Sequence, residues 1–317
     1  HALPNGWLQL IENRCELIIG PPEGDQLVEK LTTKLPLAEG LFTLLTIKID
    51  NKLLSKAPNL KVISNMAVGF DNINVEACTE RGIPVGNTPG VLTDGTADLT
   101  MAILLAAARR LLEASQDARE GRWKTWSPTG WLGKDLSGAN LGIVGLGKIG
   151  TAVARRAKGF GMEILFSDPN LNQDLVNQIG AERMELHELL QESDFVTLHI
   201  PLTSQTRHLI DRTALQLMKP SALLINTSRG PIVDQVALAK ALKNGDIGGA
   251  ALDVTDPEPL PADNELYSLK NCLVVPHIGS ATWNTRQRMA ERACENLLAG
   301  LEGKLLPYCV NPEIYLE

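Results

Sequence analysis

The stretch NLGIVGLGKIGTAVARRAKGFGMEILFSD, residues 140–168, decides how the rest of the chain is read. Leu141, Ile143 and Val144 form an apolar, β-branched run that enters the turn Gly145-Leu146-Gly147-Lys148-Ile149-Gly150. Beyond the turn, Ile149, Val153, Ala157 and Phe160 recur at helical spacing, so strand gives way to helix. Gly161 closes that helix, Ile164, Leu165 and Phe166 make a second strand, and Asp168 stands at its end. The acid falls about twenty residues beyond the glycines, as a dinucleotide-binding βαβ unit requires. In such a unit Gly145 permits the tight turn, Gly147 lets the backbone approach a pyrophosphate, and Gly150 lets helix and strand pack closely. The first N–H groups of the helix then face the anion. A plain βαβ turn remains the alternative for the glycines alone; the ordered strand, helix, second strand and terminal acid favour the nucleotide.

Asp168 also bears on which nucleotide. A 2′-phosphate placed against it meets a like charge, and residues 169–173 (Pro, Asn, Leu, Asn, Gln) hold no Arg or Lys to neutralise it. NAD(H) is therefore the expected cofactor, with NADP(H) possible.

Working outward, the 317 residues are 44% hydrophobic, enough for two cores of ordinary size. The net charge of -7 and the absence of any basic run longer than a pair such as Arg109-Arg110 argue against a nucleic-acid partner. The longest apolar stretch, 101–108, is too short to span a bilayer, and no signal peptide or anchor is visible, so no membrane partner is expected. Five scattered cysteines without CxxC spacing point to a reduced, cytoplasmic protein with no metal site.

Before the nucleotide unit, CELIIG (15–20), LFTLLT (41–46) and the run Leu60, Val62, Ile63 read as strands. The chain opens on His1-Ala2-Leu3-Pro4 without a strand, although an α/β domain usually begins with one; a strand ahead of His1 is the expectation. Residues 65–90 are turn-rich. Gly69-Phe70-Asp71-Asn72 is either an ordinary surface turn or a loop whose backbone N–H groups face a ligand. An amphipathic helix is expected over 93–110. A polar excursion over 113–139, carrying Trp123, Trp126 and Trp131, suits a subunit contact.

After the nucleotide unit, helical LHELLQ (186–191), strand FVTLHI (195–200), a helix near 214–218, strand ALLINTS (222–228), a helix near 236–244 and strand GAALDV (249–254) alternate. CLVVP (272–276) follows, then a helix over 285–300. This alternation implies α/β architecture. We expect two doubly wound, parallel-sheet, Rossmann-like domains with the cofactor domain inserted into the substrate domain. The substrate (lid) domain would comprise 1–92 plus 284–317, and the NAD-binding domain 93–283.

In an open parallel sheet the ligand crevice lies beyond the carboxyl ends of the strands. Three late strands run there into Arg229, Glu258 and His277. Taken singly, Arg229 is an ordinary surface salt-bridge residue, Glu258 a solvated loop acid and His277 a structural histidine. On one sheet edge, downstream of a nicotinamide-type fold, they supply a carboxylate binder, a carboxylate partner and a proton donor.

The motifs VGFDNINVEACTERGIPVGNTPGVLTD (68–94), NTSRGPIVD (226–234), ALDVTDPEPLP (251–261) and PHIGSAT (276–282), with the glycine turn, resemble those of the D-isomer-specific 2-hydroxyacid dehydrogenases over nearly the whole chain. The stretch ending in PHIGSAT is most similar to the glyoxylate/hydroxypyruvate branch. The resemblance implies reduction of a small 2-keto acid to a D-2-hydroxy acid. It makes His277 the general acid/base, Glu258 its partner and Arg229 the substrate clamp, with Val68, Gly69 and Ser280 also at the substrate. Gly145, Gly147, Lys148, Ile149 and Gly150 would hold the pyrophosphate, Asp168 the adenosine ribose, and Pro201, Thr227, Asp253 and Gly279 the ribose and nicotinamide. Trp126 would reach the neighbouring subunit's site, implying a homodimer, and the 93–110 and 285–300 helices would flank domain closure. Related phosphite dehydrogenases carry lysine where this chain has Val68, which argues against that activity. Mammalian reductases of the family place arginine near the second strand's end, so their NADPH preference does not transfer to a chain with Asp168. The related NAD-sensing corepressors share the three residues and form the competing class.

Overall fold

The computed structural model describes residues 3–20, 29–170 and 173–316. His1, Ala2, Leu171 and Asn172, which the readings of the chain start and of the 169–173 loop include, lie outside them. The chain divides into two compact units, His1–Leu92 with Thr282–Glu317, and Thr93–Ala281, so the second is inserted into the first.

The inserted unit carries a seven-stranded parallel sheet. Its strands are β4 (Asn140–Val144), β5 (Glu163–Ser167), β6 (Ala181–Arg183), β7 (Phe195–Leu198), β8 (Leu223–Asn226), β9 (Gly249–Leu252) and β10 (Cys272–Val274), in the spatial order β10-β9-β8-β7-β4-β5-β6. Order reverses between β4 and β7, and that switch point opens the ligand crevice of a doubly wound sheet. The strands read as near-continuous apolar runs because both faces are covered. Side chains alternate between two cores. Ile143, Ile164, Phe166, Leu223 and Ile225 pack with the helices Thr93–Ala108 and Lys148–Gly159, while Val144, Leu165, Val196, Leu224 and Leu252 pack with Leu186–Glu192, Arg212–Leu217 and Gln235–Asn244.

The first unit is smaller. Its parallel sheet has the order β1 (Gly40–Thr43), β2 (Val62–Asn65), β3 (Val85–Gly86), and the helix Trp283–Leu301 packs on it. Gly300 is required at that contact: a Cβ there would lie 2.4 Å from a Val62 methyl.

Several expectations are corrected. CELIIG forms no strand: it has no ladder partner, and Ile18 and Ile19 are exposed. Without cross-strand bonds an apolar run gains little from an extended backbone. Phe160 is exposed and lies just past the helix it was expected to pack beneath, whereas Val153 and Ala157 are fully buried. The polar excursion opens with a helix, Leu111–Arg119, none of whose residues is buried. The helix Gln173–Ile179 and the edge strand β6 went unread because the flanking polar residues mask their short apolar signals.

Candidate active site

The glycine turn after β4 has the steric form that an anion cradle needs. Gly145 takes φ +94°, and a Cβ on it would stand 2.7 Å from the His199 carbonyl oxygen. A Cβ on Gly150 would come within 2.1 Å of the Gly145 oxygen. At Gly147 nothing lies within 4 Å of that position, so the backbone is open to an approaching group. Gly147 is the N-cap of Lys148–Gly159, and no side chain caps that helix, which leaves its first N–H groups for a ligand. These features fit a dinucleotide pyrophosphate. Asp168, at the end of β5, accepts from Leu146 N–H (2.8 Å) and Asn170 N–H (2.7 Å). Each oxygen keeps a second lone pair for a ribose hydroxyl.

The other strand ends of the same sheet edge carry the remaining candidates of this unit. Pro201 follows β7 and is exposed; its carbonyl accepts from Thr206 Oγ1 at 2.7 Å. Past β8, Thr227 Oγ1 lies 2.9 Å from Thr100 Oγ1, and Ser228 Oγ donates to the Leu198 carbonyl at 2.6 Å. These bonds fix the strand end from which half-buried Arg229 projects. The Arg229 carbonyl accepts from Asn226 Nδ2 (2.8 Å), and its Nη1 donates to the Ser228 carbonyl (2.8 Å). Gly230 follows because a Cβ there would stand 1.9 Å from the Thr255 oxygen.

Past β9 comes Asp253, only 2% exposed. Its Oδ1 accepts from Ile278 N–H at 2.6 Å and its Oδ2 from Gly279 N–H at 2.8 Å, while its backbone oxygen accepts from His277 N–H at 2.9 Å. Burial pushes the Asp253 carboxyl above its ordinary value, against the opposing pull of those N–H groups and of His277. One buried carboxylate thus grips the loop that presents the histidine. Sequence reading placed Asp253 at the cofactor but missed this grip, because its partners lie 25 and 26 residues away.

His277 itself takes φ +50°, a left-handed conformation that costs a residue with a β-carbon on the order of 1–3 kcal/mol. Its Nδ1 donates to Glu258 Oε1, and both side chains remain partly open to solvent. Ser280 follows, half-buried, after Gly279. Imidazole and carboxylate are therefore in direct contact, the one past β10 and the other past β9, and Arg229 lies past β8, the neighbour of β9 on its other side. Trp126 is 79% exposed in the segment after Leu111–Arg119. Val68 and Gly69 belong to the first unit, in the loop after β2.

Among the described residues no cluster of three His, Cys, Asp or Glu side chains could hold a metal ion, and no helix is long and apolar enough to cross a membrane.

Comparison with known proteins places the fold in a family. The family pattern "D-isomer specific 2-hydroxyacid dehydrogenase, NAD binding domain" matches residues 101–279. A glyoxylate reductase of Korarchaeum cryptofilum is 48% identical over 317 residues, covering 98% of this chain and 94% of the relative. A solved protein of Thermus thermophilus superposes with a TM-score of 0.89 at 46% identity, covering 98% of this chain and 97% of that one. D-lactate dehydrogenase from Aquifex aeolicus, solved with NAD and lactic acid, gives 0.82 at 31% identity over 88% of each chain. The chain belongs to the D-isomer-specific 2-hydroxyacid dehydrogenase family, two-domain Rossmann-like enzymes that use a nicotinamide cofactor.

Proposed function

We propose that this protein is a glyoxylate reductase that also takes hydroxypyruvate and other small 2-keto acids, reducing them to the corresponding 2-hydroxy acids, of D configuration where chiral, with NADH preferred. The observation that carries the reading is the His277–Glu258 pair on the same sheet edge as the uncapped glycine turn and Arg229. The relatives named glyoxylate reductase support the substrate.

When bound, the nicotinamide supplies the hydride. His277 gives the carbonyl oxygen its proton: Nδ1 is held by Glu258, which leaves Nε2 to carry the transferable one. Glu258 fixes the tautomer and the orientation of the ring. Arg229 offers a planar two-pronged donor to the substrate carboxylate, so that one carbonyl face is presented, and a lysine could not reproduce that fork. Asp253 keeps the histidine loop in place. Ser280 contributes at the substrate, and Val68 and Gly69 supply backbone N–H donors. Gly147, Lys148, Ile149 and Gly150 hold the pyrophosphate and Asp168 the ribose, with Pro201, Thr227 and Gly279 along the nucleotide. Asp168 is also the basis of the NADH preference.

The protein acts as a homodimer in which Trp126 reaches the partner's site. The exposure of the large apolar side chains Trp123, Trp126 and Leu132 on one short segment supports this, aromatic residues being enriched at subunit interfaces. Five free cysteines suit a reducing, cytoplasmic setting. The test is a panel of glyoxylate, hydroxypyruvate and pyruvate with NADH and with NADPH, followed by loss of the reduced nicotinamide's absorbance. Turnover of glyoxylate with NADH is expected; no turnover of any 2-keto acid would refute the reading.

A further inference from the structure

The first unit holds a set of asparagines that the catalytic account leaves unused. Residues 66–72 leave the end of β2 as a loop in which the four consecutive carbonyls of residues 67–70 accept hydrogen bonds from within the unit. Ala67 O accepts from Thr88 N–H at 2.8 Å and Phe70 O from Ile73 N–H at 2.9 Å. Val68 O accepts from Asn87 Nδ2 at 2.9 Å, and Gly69 O from Asn65 Nδ2 at 2.9 Å. Asn65 Nδ2 also reaches Asn72 Oδ1 at 3.3 Å, and Asn72 Nδ2 in turn donates to the carbonyls of Leu44 (3.2 Å) and Ile47 (3.0 Å). With the carbonyls spent inside, no acceptor among the described residues takes the N–H of Val68 or Gly69. Consecutive N–H groups without an internal acceptor are available to an anion.

Two further atoms mark the same place as incomplete. Asn65 Oδ1 and Thr88 Oγ1 are buried and have no partner, although buried polar atoms are nearly always satisfied. Asn65 opens the turn, and Thr88 is bonded to it through its backbone.

We propose that Asn65 and Asn87 are positioning residues for substrate: their side-chain amides clamp the Gly69 and Val68 carbonyls and so aim the two N–H groups at the keto acid's carboxylate. This rests on the reading of the protein as a 2-keto-acid reductase. Asn87 is the cleaner of the two, because among the described residues the one bond its side chain makes is to Val68 O. Asn87→Asp keeps the shape but sets a carboxylate oxygen against that carbonyl.

Asn87→Asp is expected to raise the KM for glyoxylate about tenfold, the worth of one part-buried hydrogen bond replaced by a repulsive contact, while kcat stays within about threefold. Oxalate, a dicarboxylate with no carbonyl to reduce, should bind the NAD-loaded variant more weakly in calorimetry by the same factor. NADH affinity should not change. Asn59→Ala removes an equivalent amide-to-carbonyl bond, Asn59 Nδ2 to Pro36 O at 2.8 Å, at an exposed site in the same unit, and should leave KM and oxalate affinity unaltered. If Asn87→Asp loses cooperative melting, Asn87→Ala, which removes the donor without adding charge, carries the same comparison. Unchanged KM and oxalate affinity in the Asn87 variants, or equal loss in Asn59→Ala, overturns the proposal. A wild-type protein that reduces no keto acid but binds oxalate in an Asn87-dependent way would instead remove the reductase reading and leave the clamp standing.

Discussion

His277 is held in a left-handed conformation by bonds that reach it from both sides of its own backbone. Its N–H meets the Asp253 carbonyl, the two N–H groups after it meet the Asp253 carboxylate, and its ring meets Glu258. Strain of this kind persists only where the surroundings over-determine it. Two substitutions separate the contributions. His277→Ala should lower kcat by about 10²- to 10⁴-fold, the range of a general acid, with NADH affinity kept, as read by steady-state kinetics and fluorescence titration. Asp253→Asn replaces one acceptor with an amide N–H₂, so either Ile278 or Gly279 is left facing a donor. The expected loss is about 1–3 kcal/mol of stability in urea melts together with reduced kcat, because the histidine loop is released.

The β4–turn–helix–β5 unit was legible because each level of its sequence agrees with the next: apolar strand, glycines at the turn, helical spacing, glycine stop, terminal acid. The structure adds which glycine does what. Gly150→Ala should destabilise the unit by about 1–3 kcal/mol, since a Cβ would meet the Gly145 oxygen at 2.1 Å. Gly147→Ala should melt like the wild type, having open space around it, yet bind NADH about tenfold more weakly because the cofactor must occupy that space. Differential scanning fluorimetry with and without NADH distinguishes the two. Elements failed to be legible where local signal and tertiary partner part company. CELIIG has strand composition but nothing to pair with, and Leu111–Arg119 is a helix with no buried face to give it away. The candidate site was legible as residue types at strand ends. The Asp253 grip and the Asn87 bond to Val68 were not, because they are hydrogen bonds between segments 19 to 26 residues apart in the chain.

At the scale of the whole molecule, the inserted unit is tied at the amino end of its sheet by Asp194. Burial alone would raise this carboxyl, but the Asn140 N–H (2.9 Å) and the Lys219 ammonium (2.9 Å) outweigh it and hold the group below its ordinary value. A depressed carboxyl contributes stability that is present above the unfolded pKa, roughly 3.9, and lost as pH falls through the folded value. Urea melts of Asp194→Asn should therefore show less stability than wild type at neutral pH and converge with it in acid. Sedimentation should find a dimer, and Trp126→Ala should lower keto-acid turnover in that dimer. The central claim, that the sheet edge bearing Arg229, Glu258 and His277 performs proton-coupled reduction of a 2-keto acid, is tested most directly by mixing wild-type protein and His277→Ala with NADH and glyoxylate. Consumption of NADH by the first and its near-absence in the second, with both binding NADH equally, is the expected result; undiminished turnover by His277→Ala would contradict the account.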